Sequence, residues 1–190
     1  SHWFDLAMRL NGDVPVAFNT GMALLGLLAA YRDTRADEFR DSVRGAADFL
    51  LHDVGSDGHF RSHGPFVMPN AVKTYTCLCA WPLYEAGREL ADERYCDAAL
   101  RVGNAAVRLQ KENGWFAENC LSHRAYAPLL HTIGYTLQGL VELGIVSGDG
   151  QVLITCGDDD PDGAPAVPPK DDGRPSGRGL MLVNAMASQW

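Results

Sequence analysis

The chain has 190 residues, 46% hydrophobic and 21% charged, with a formal net charge of −8, a composition that fits a globular domain and no extreme class. Such acidity argues against a nucleic-acid partner and against an anionic membrane surface. The longest apolar run, Met22 to Tyr31, is interrupted by Gly26 and falls well short of the roughly 18 residues that a bilayer span takes.

Residues 1–16 open with His2-Trp3-Phe4 and continue into Asn11-Gly12-Asp13 and Pro15, a turn cluster. Residues 18–31 are apolar almost all round, the signature of a helix buried on most faces, with Asn19 or Thr20 as a plausible N-cap. In residues 36–52, Phe39, Val43, Ala46, Ala47, Leu50 and Leu51 recur at helical spacing between charged residues, which predicts an amphipathic helix. Residues 72–89 predict a second apolar helix, with Pro82 as an expected kink of about 3 kcal/mol. Residues 92–111 predict a second amphipathic helix, opened by Asp92-Glu93 as suits a helix N-terminus. A third apolar helix, Leu129 to Leu143, ends at Gly144, a natural stop.

The order repeats because the sequence does. Asp57-Gly58-His59-Phe60 returns 56 residues later as Asn113-Gly114-Trp115-Phe116, and the same offset carries Phe39 onto Tyr95 and Ala30 onto Ala86. A period of that length suits a pair of helices and a loop. Residues 1–148 therefore read as mainly α, αα-hairpin repeats with apolar helices inside and half-wet helices outside.

The Gly-His-Phe and Gly-Trp-Phe turns, Asp92-Glu93-Arg94-Tyr95 at an outer-helix start, and Phe18-Asn19-Thr20-Gly21 and Leu130-His131-Thr132-Ile133 at inner-helix starts resemble the α/α-toroid superfamily. That grouping holds six-hairpin glycosidases, sugar epimerases and lyases, and terpenoid-cyclase-like toroids. The resemblance covers about residues 15–148 and implies a partial toroid of at most three hairpins, carbohydrate-active by acid/base chemistry. No Asp-Asp-x-Asp cluster appears, which lowers the isoprenoid option. The members share architecture more than reaction, so a non-catalytic helical scaffold that holds a protein on its concave face stays open.

Toroids of this kind place the site at one end of the inner helices, which implicates Asn19 and Thr20, His63, Lys73 and Tyr75, and Glu118, Asn119, His123 and His131. Glu118 follows the Trp115 turn and is a candidate general acid, or a solvated loop acid. His131 is its candidate partner, or a satisfied histidine at a helix start. Asn19, Lys73, Tyr75, Trp115 and Asn119 are candidate substrate contacts. A Lys73–Tyr75 pair suits a sugar carboxylate, although Tyr75 also reads as core and Lys73 as a solvated side chain. His63 and His123 lie in equivalent loops without a third ligand at suitable spacing, so no metal is expected. A saccharide or other small molecule is the expected partner.

After Gly148 the composition changes. Residues 151–156 form a β-type run, followed by an acidic, Pro-rich loop and then Ser176-Gly177-Arg178-Gly179-Leu180 opening an apolar segment. A strand, a loop and a glycine-opened helix outline a phosphate-binding element. The Gly-Arg-Gly-Leu turn and Asp158 resemble the GHKL ATPases, closest to anti-sigma-factor kinase-like proteins. That resemblance implies Asp158 for adenine and Gly177, Gly179 and Leu180 for phosphate, with ATP and magnesium as cofactors. Outside that alternative no cofactor is expected. Residues 149–190 thus read as an incomplete second element, and the whole as a fragment or fusion.

Cys77, Cys79, Cys96, Cys120 and Cys156 match neither a zinc knuckle nor a Cys-x-x-Cys redox pair. Free thiols point to a reducing, cytoplasmic compartment. The chain starts at Ser1 in mid-pattern, so an upstream signal peptide stays open.

Overall fold

A computed structural model describes residues 15–64, 67–68, 71–121 and 129–144. The chain divides into two compact units, residues 1–154 and 155–190, and every described residue belongs to the first. The strand and glycine-opened helix expected in 149–190, with Asp158, Gly177, Gly179 and Leu180, lie outside the described residues, as does His123.

Among the described residues the fold is helical. Helix α1 spans Ala17–Thr34 and α2 spans Asp37–Asp53. A 3-10 segment, Thr74–Cys79, leads directly into α3, Ala80–Leu90. Helix α4 spans Glu93–Val107 and α5 spans Leu130–Glu142. No helix is long and apolar enough to cross a membrane.

Pairing follows from which faces are apolar. Helix α2 buries Val43, Ala47 and Leu50, and α4 buries Tyr95, Ala98, Ala99 and Val102, each as a stripe with a charged face opposite. Helices α1 and α2 pack as one hairpin, and α3 and α4 as the next. The apolar elements lie side by side as an inner row, α1 against the 3-10 segment and α3, and the 3-10 segment against α5. The shared core runs through Leu24, Leu28, Phe60, Leu83, Ala86 and Tyr95.

Contacts within the inner row are close enough to require glycine. A Cβ on Gly21 would stand 2.5 Å from Cys79 Sγ, and one on Gly139 would stand 2.6 Å from Leu78 Cα. Arg32 and Arg35, at the end of α1, pair with Glu85 and Glu89 of α3. Those surface ion pairs set the two helix ends in register more than they add stability.

The 56-residue repeat reappears as hydrogen bonds. Val54 bridges Phe60, and Gln110 bridges Phe116. The Gly55 amide donates to the His59 carbonyl, and the Lys111 amide to that of Trp115. Asp57 and Asn113 each accept, through a side-chain oxygen, the amide two residues on. Gly58 and Gly114 both sit at φ +85°, a backbone region where a Cβ is strained, which is why glycine marks both turns. Arg35 and Ala91, also 56 apart, close α1 and α3 in the left-handed region, each amide returning to the carbonyl four residues back.

Three details differ from the sequence reading. The residue flanking α1 is Val16, so Asn19 and Thr20 lie inside the helix, and its first amide, on Ala17, is satisfied by the distant Ser62 carbonyl. Pro82 falls in the first turn of α3, because residues 74–79 are 3-10, and its missing N–H costs little there. Helix α1 is covered on one side only among the described residues: Gly21, Leu24 and Leu28 are buried, while Asn19, Ala23, Gly26 and Ala29 are exposed. Its two helical neighbours, α2 and α3, share the buried side. The expected ends hold: Asp92 caps α4 by accepting the Arg94 amide, and Gly144, at φ +65°, follows α5.

Candidate functional site

The first residues of the inner elements come together because the repeat aligns them. Asn19, Tyr75 and His131 are spaced 56 apart, each one or two residues past the start of α1, the 3-10 segment or α5. Thr20, Thr76 and Thr132 follow them at the same spacing. Thr76 Oγ1 donates to the Lys73 carbonyl at 2.6 Å, and Thr132 Oγ1 makes the equivalent bond to Leu129 at 2.8 Å. The two side chains thereby pin their helix starts in the same way.

An aromatic row ties these starts to one another. The Phe18 ring meets Tyr75 edge-on at 6.0 Å between centroids and Tyr135 at 5.0 Å, and Tyr135 meets His131 at 5.7 Å. Tyr75 is 9% exposed, and burial pushes its phenol up from the ordinary value, with Cys79 adding to the rise. His131 and Asn19 are exposed.

The loop after the second glycine turn folds onto the 3-10 start. Thr74 donates through Oγ1 to the Ala117 carbonyl at 2.5 Å and through its amide to that of Glu118 at 3.0 Å. Lys73 Nζ donates to the Cys120 carbonyl at 2.7 Å. Asn119, 2% exposed, accepts Thr136 Oγ1 from α5 at 2.9 Å. Loop, 3-10 segment and α5 are thus joined within one short stretch.

Lys73 is 5% exposed. Among the described residues no carboxylate forms an ion pair with it. The loop of the first hairpin is held by the opposite charge: Asp53 accepts the Arg61 and Ser62 amides and the Ser62 hydroxyl. His63, beside it, has Nε2 2.9 Å from the Ala71 carbonyl. Burial is the main cause that pushes the His63 imidazole below its ordinary value, and the nearby Lys73 charge adds to this against Asp53 and the carbonyl.

Of the predicted site residues, Asn19, Lys73, Tyr75, Asn119 and His131 belong to this inner-helix end. Glu118 enters it through its backbone; its side chain is exposed, and Trp115 is itself 44% exposed. The apolar enclosure expected around the Glu118 carboxylate is therefore not formed by the described residues. Glu118 instead carries φ +53°, strained for a residue with a Cβ. Sequence reasoning does not single out Thr74 or Thr136; the signal that finds Thr136 is its place within one turn or so of His131. Among the described residues no three His, Cys, Asp or Glu side chains gather as metal ligands would.

No protein-family model, curated protein or solved structure matches the chain. The candidate site consequently stands on its own geometry.

Proposed function

We propose that the hairpins form an arc of an α/α toroid whose inner-helix end binds a saccharide, as a piece of a carbohydrate-active enzyme of glycosidase, epimerase or lyase type. The observation that carries the reading is the convergence of Asn19, Tyr75 and His131 at equivalent positions beside the Tyr75–Phe18–Tyr135–His131 row. Aromatic faces offer apolar area to a sugar ring, and the flanking amide, hydroxyl and imidazole offer donors and acceptors for its hydroxyls. Glu118 and His131, both exposed, are the groups available for acid/base work. Asn19, Lys73, Tyr75, Trp115 and Asn119 are the substrate contacts.

Thermal denaturation with a panel of neutral and acidic oligosaccharides, with ATP and magnesium, and with buffer alone tests the proposal. A ligand at a hundredfold excess over its Kd stabilises by about 2.7 kcal/mol, roughly 5–10 °C in Tm for a chain of this size. A shift of that order with an oligosaccharide and none with ATP supports the saccharide reading. A shift with ATP alone points to the GHKL-like tail, and no shift with either leaves the scaffold reading.

A further inference from the structure

We infer that Lys73 is the receptor for a carboxylate on the bound saccharide, so that the ligand is an acidic sugar, a hexuronate or a chain of them. The inference rests on the saccharide reading of the same inner-helix end.

The internal repeat provides the control. The residue 56 before Lys73 is Ala17, and the residue 56 after it is Leu129. Ala17 is fully buried and begins α1 with its amide on the Ser62 carbonyl; in the second hairpin the bond to the equivalent carbonyl, that of Glu118, comes from the amide of Thr74, one residue after Lys73. A loop-to-helix bond of the same kind, shifted by one residue, thus forms in the first hairpin with a methyl group 56 residues before Lys73.

An ammonium that is 5% exposed, with a single carbonyl acceptor and no carboxylate partner among the described residues, is costly unless something compensates it. A carbonyl uses one of the three N–H donors and neutralises none of the charge. His63, the other titratable group that senses Lys73, adds positive charge when protonated and so cannot serve as the counter-ion. Asp53, an acid that the same imidazole senses, already accepts from two loop amides and the Ser62 hydroxyl. Among the described residues, what remains unmatched is one buried positive charge, two residues before Tyr75 in the chain and bonded to the carbonyl of the residue after Asn119. A carboxylate on a pyranose ring meets that combination: the acid on Nζ, the ring on the Tyr75–Phe18 face. A charge-assisted bond of this type is roughly twice as strong as a neutral one.

The test is calorimetric titration of the full chain with a galacturonate trimer and with the same trimer after its carboxylates have been reduced to alcohols. The expected result is binding of the acidic form about tenfold tighter than the reduced form, with a salt dependence that only the acidic form shows. Lys73→Ala should abolish that preference, weakening the acidic form more than the reduced form. Lys73→Arg should keep the preference, and circular dichroism of both variants checks that the helices persist. Should Lys73→Ala not fold, the comparison of the two trimers and its salt dependence on the unaltered chain still decides. Equal binding of both trimers, or equal weakening of both by Lys73→Ala, overturns the carboxylate assignment and leaves the saccharide reading standing. If neither trimer nor any neutral oligosaccharide binds, both fall together.

Discussion

Replacing Gly139 with alanine probes how the inner row is held together. A Cβ at that position would lie 2.6 Å from Leu78 Cα, 2.8 Å from Leu78 N and 2.9 Å from the Cys77 carbonyl oxygen. Relaxed contacts between such atoms lie near 3.5 Å, so the shortfall is about 1 Å. All three obstacles are main chain, and no rotamer change removes them; α5 must back away from the 3-10 segment. Overpacking of this kind costs about 3 kcal/mol, against which alanine returns about 1 kcal/mol of helix propensity. The net expectation is a loss of about 2 kcal/mol. Gly134, on the same helix, has nothing within 4 Å of an added Cβ. Gly134→Ala should therefore gain about 1 kcal/mol. Urea unfolding followed by far-UV circular dichroism reads both, and the two substitutions should move the midpoint in opposite directions. Backing α5 away also draws Tyr135 and His131 from Phe18, so Gly139→Ala should weaken any saccharide affinity as well. Gly139→Ala as stable as the unaltered chain would refute the close packing of α5 on the 3-10 segment.

Glu118→Gly should be more stable than Glu118→Ala by about 1 kcal/mol, because φ +53° strains any residue with a Cβ; equal midpoints in urea would remove the strain argument. Tyr95 donates its hydroxyl to Asp48 at 2.5 Å, and burial, then that bond, pushes its phenol from 10 up to about 12. The folded state then holds the phenolic proton more tightly, so this stabilisation is complete below pH 10 and is lost as pH rises towards about 12. Tyr95→Phe should flatten stability across that window, and an unchanged slope in an alkaline titration of Tm would count against it. Burial raises the thiols of Cys77 and Cys79 well above the ordinary range, whereas Cys96 and Cys120 are only half-buried. Alkylation with iodoacetamide, read by mass spectrometry, should mark Cys96 and Cys120 in the folded chain and reach Cys77 and Cys79 only in denaturant; early labelling of Cys79 would mean that Gly21 does not seal it.

Much of the helical arrangement is legible in the sequence because it rests on local chemistry. Gly58 and Gly114 mark two turns that need φ near +85°, and the apolar stripes on α2 and α4 follow the 3.6-residue period. The misreadings arise where the partner is distant in sequence. Asn19 and Thr20 look like a cap, yet the Ala17 amide is met by Ser62, 45 residues away, and nothing local encodes that. Pro82 looks like a break because the 3-10 character of residues 74–79 leaves no periodic trace long enough to separate it from α3. At the site, helix starts and loops point to Asn19, Lys73, Tyr75, Asn119 and His131, and the repeat brings them to one end. The exposure of Glu118 is one of the two readings the sequence leaves open, whereas the burial of Lys73 is beyond its reach, since it depends on how the loop at 117–120 lies over the 3-10 start.

Hydrogen–deuterium exchange of the full chain, with and without the oligosaccharide that gives the largest thermal shift, tests the central claim most directly. The account predicts slowed exchange confined to the inner-helix starts and their loop, residues 17–20, 73–76, 117–121 and 130–135, with α2 and α4 unchanged. Protection spread along the outer helices, or none at the three helix starts despite a thermal shift, would contradict it.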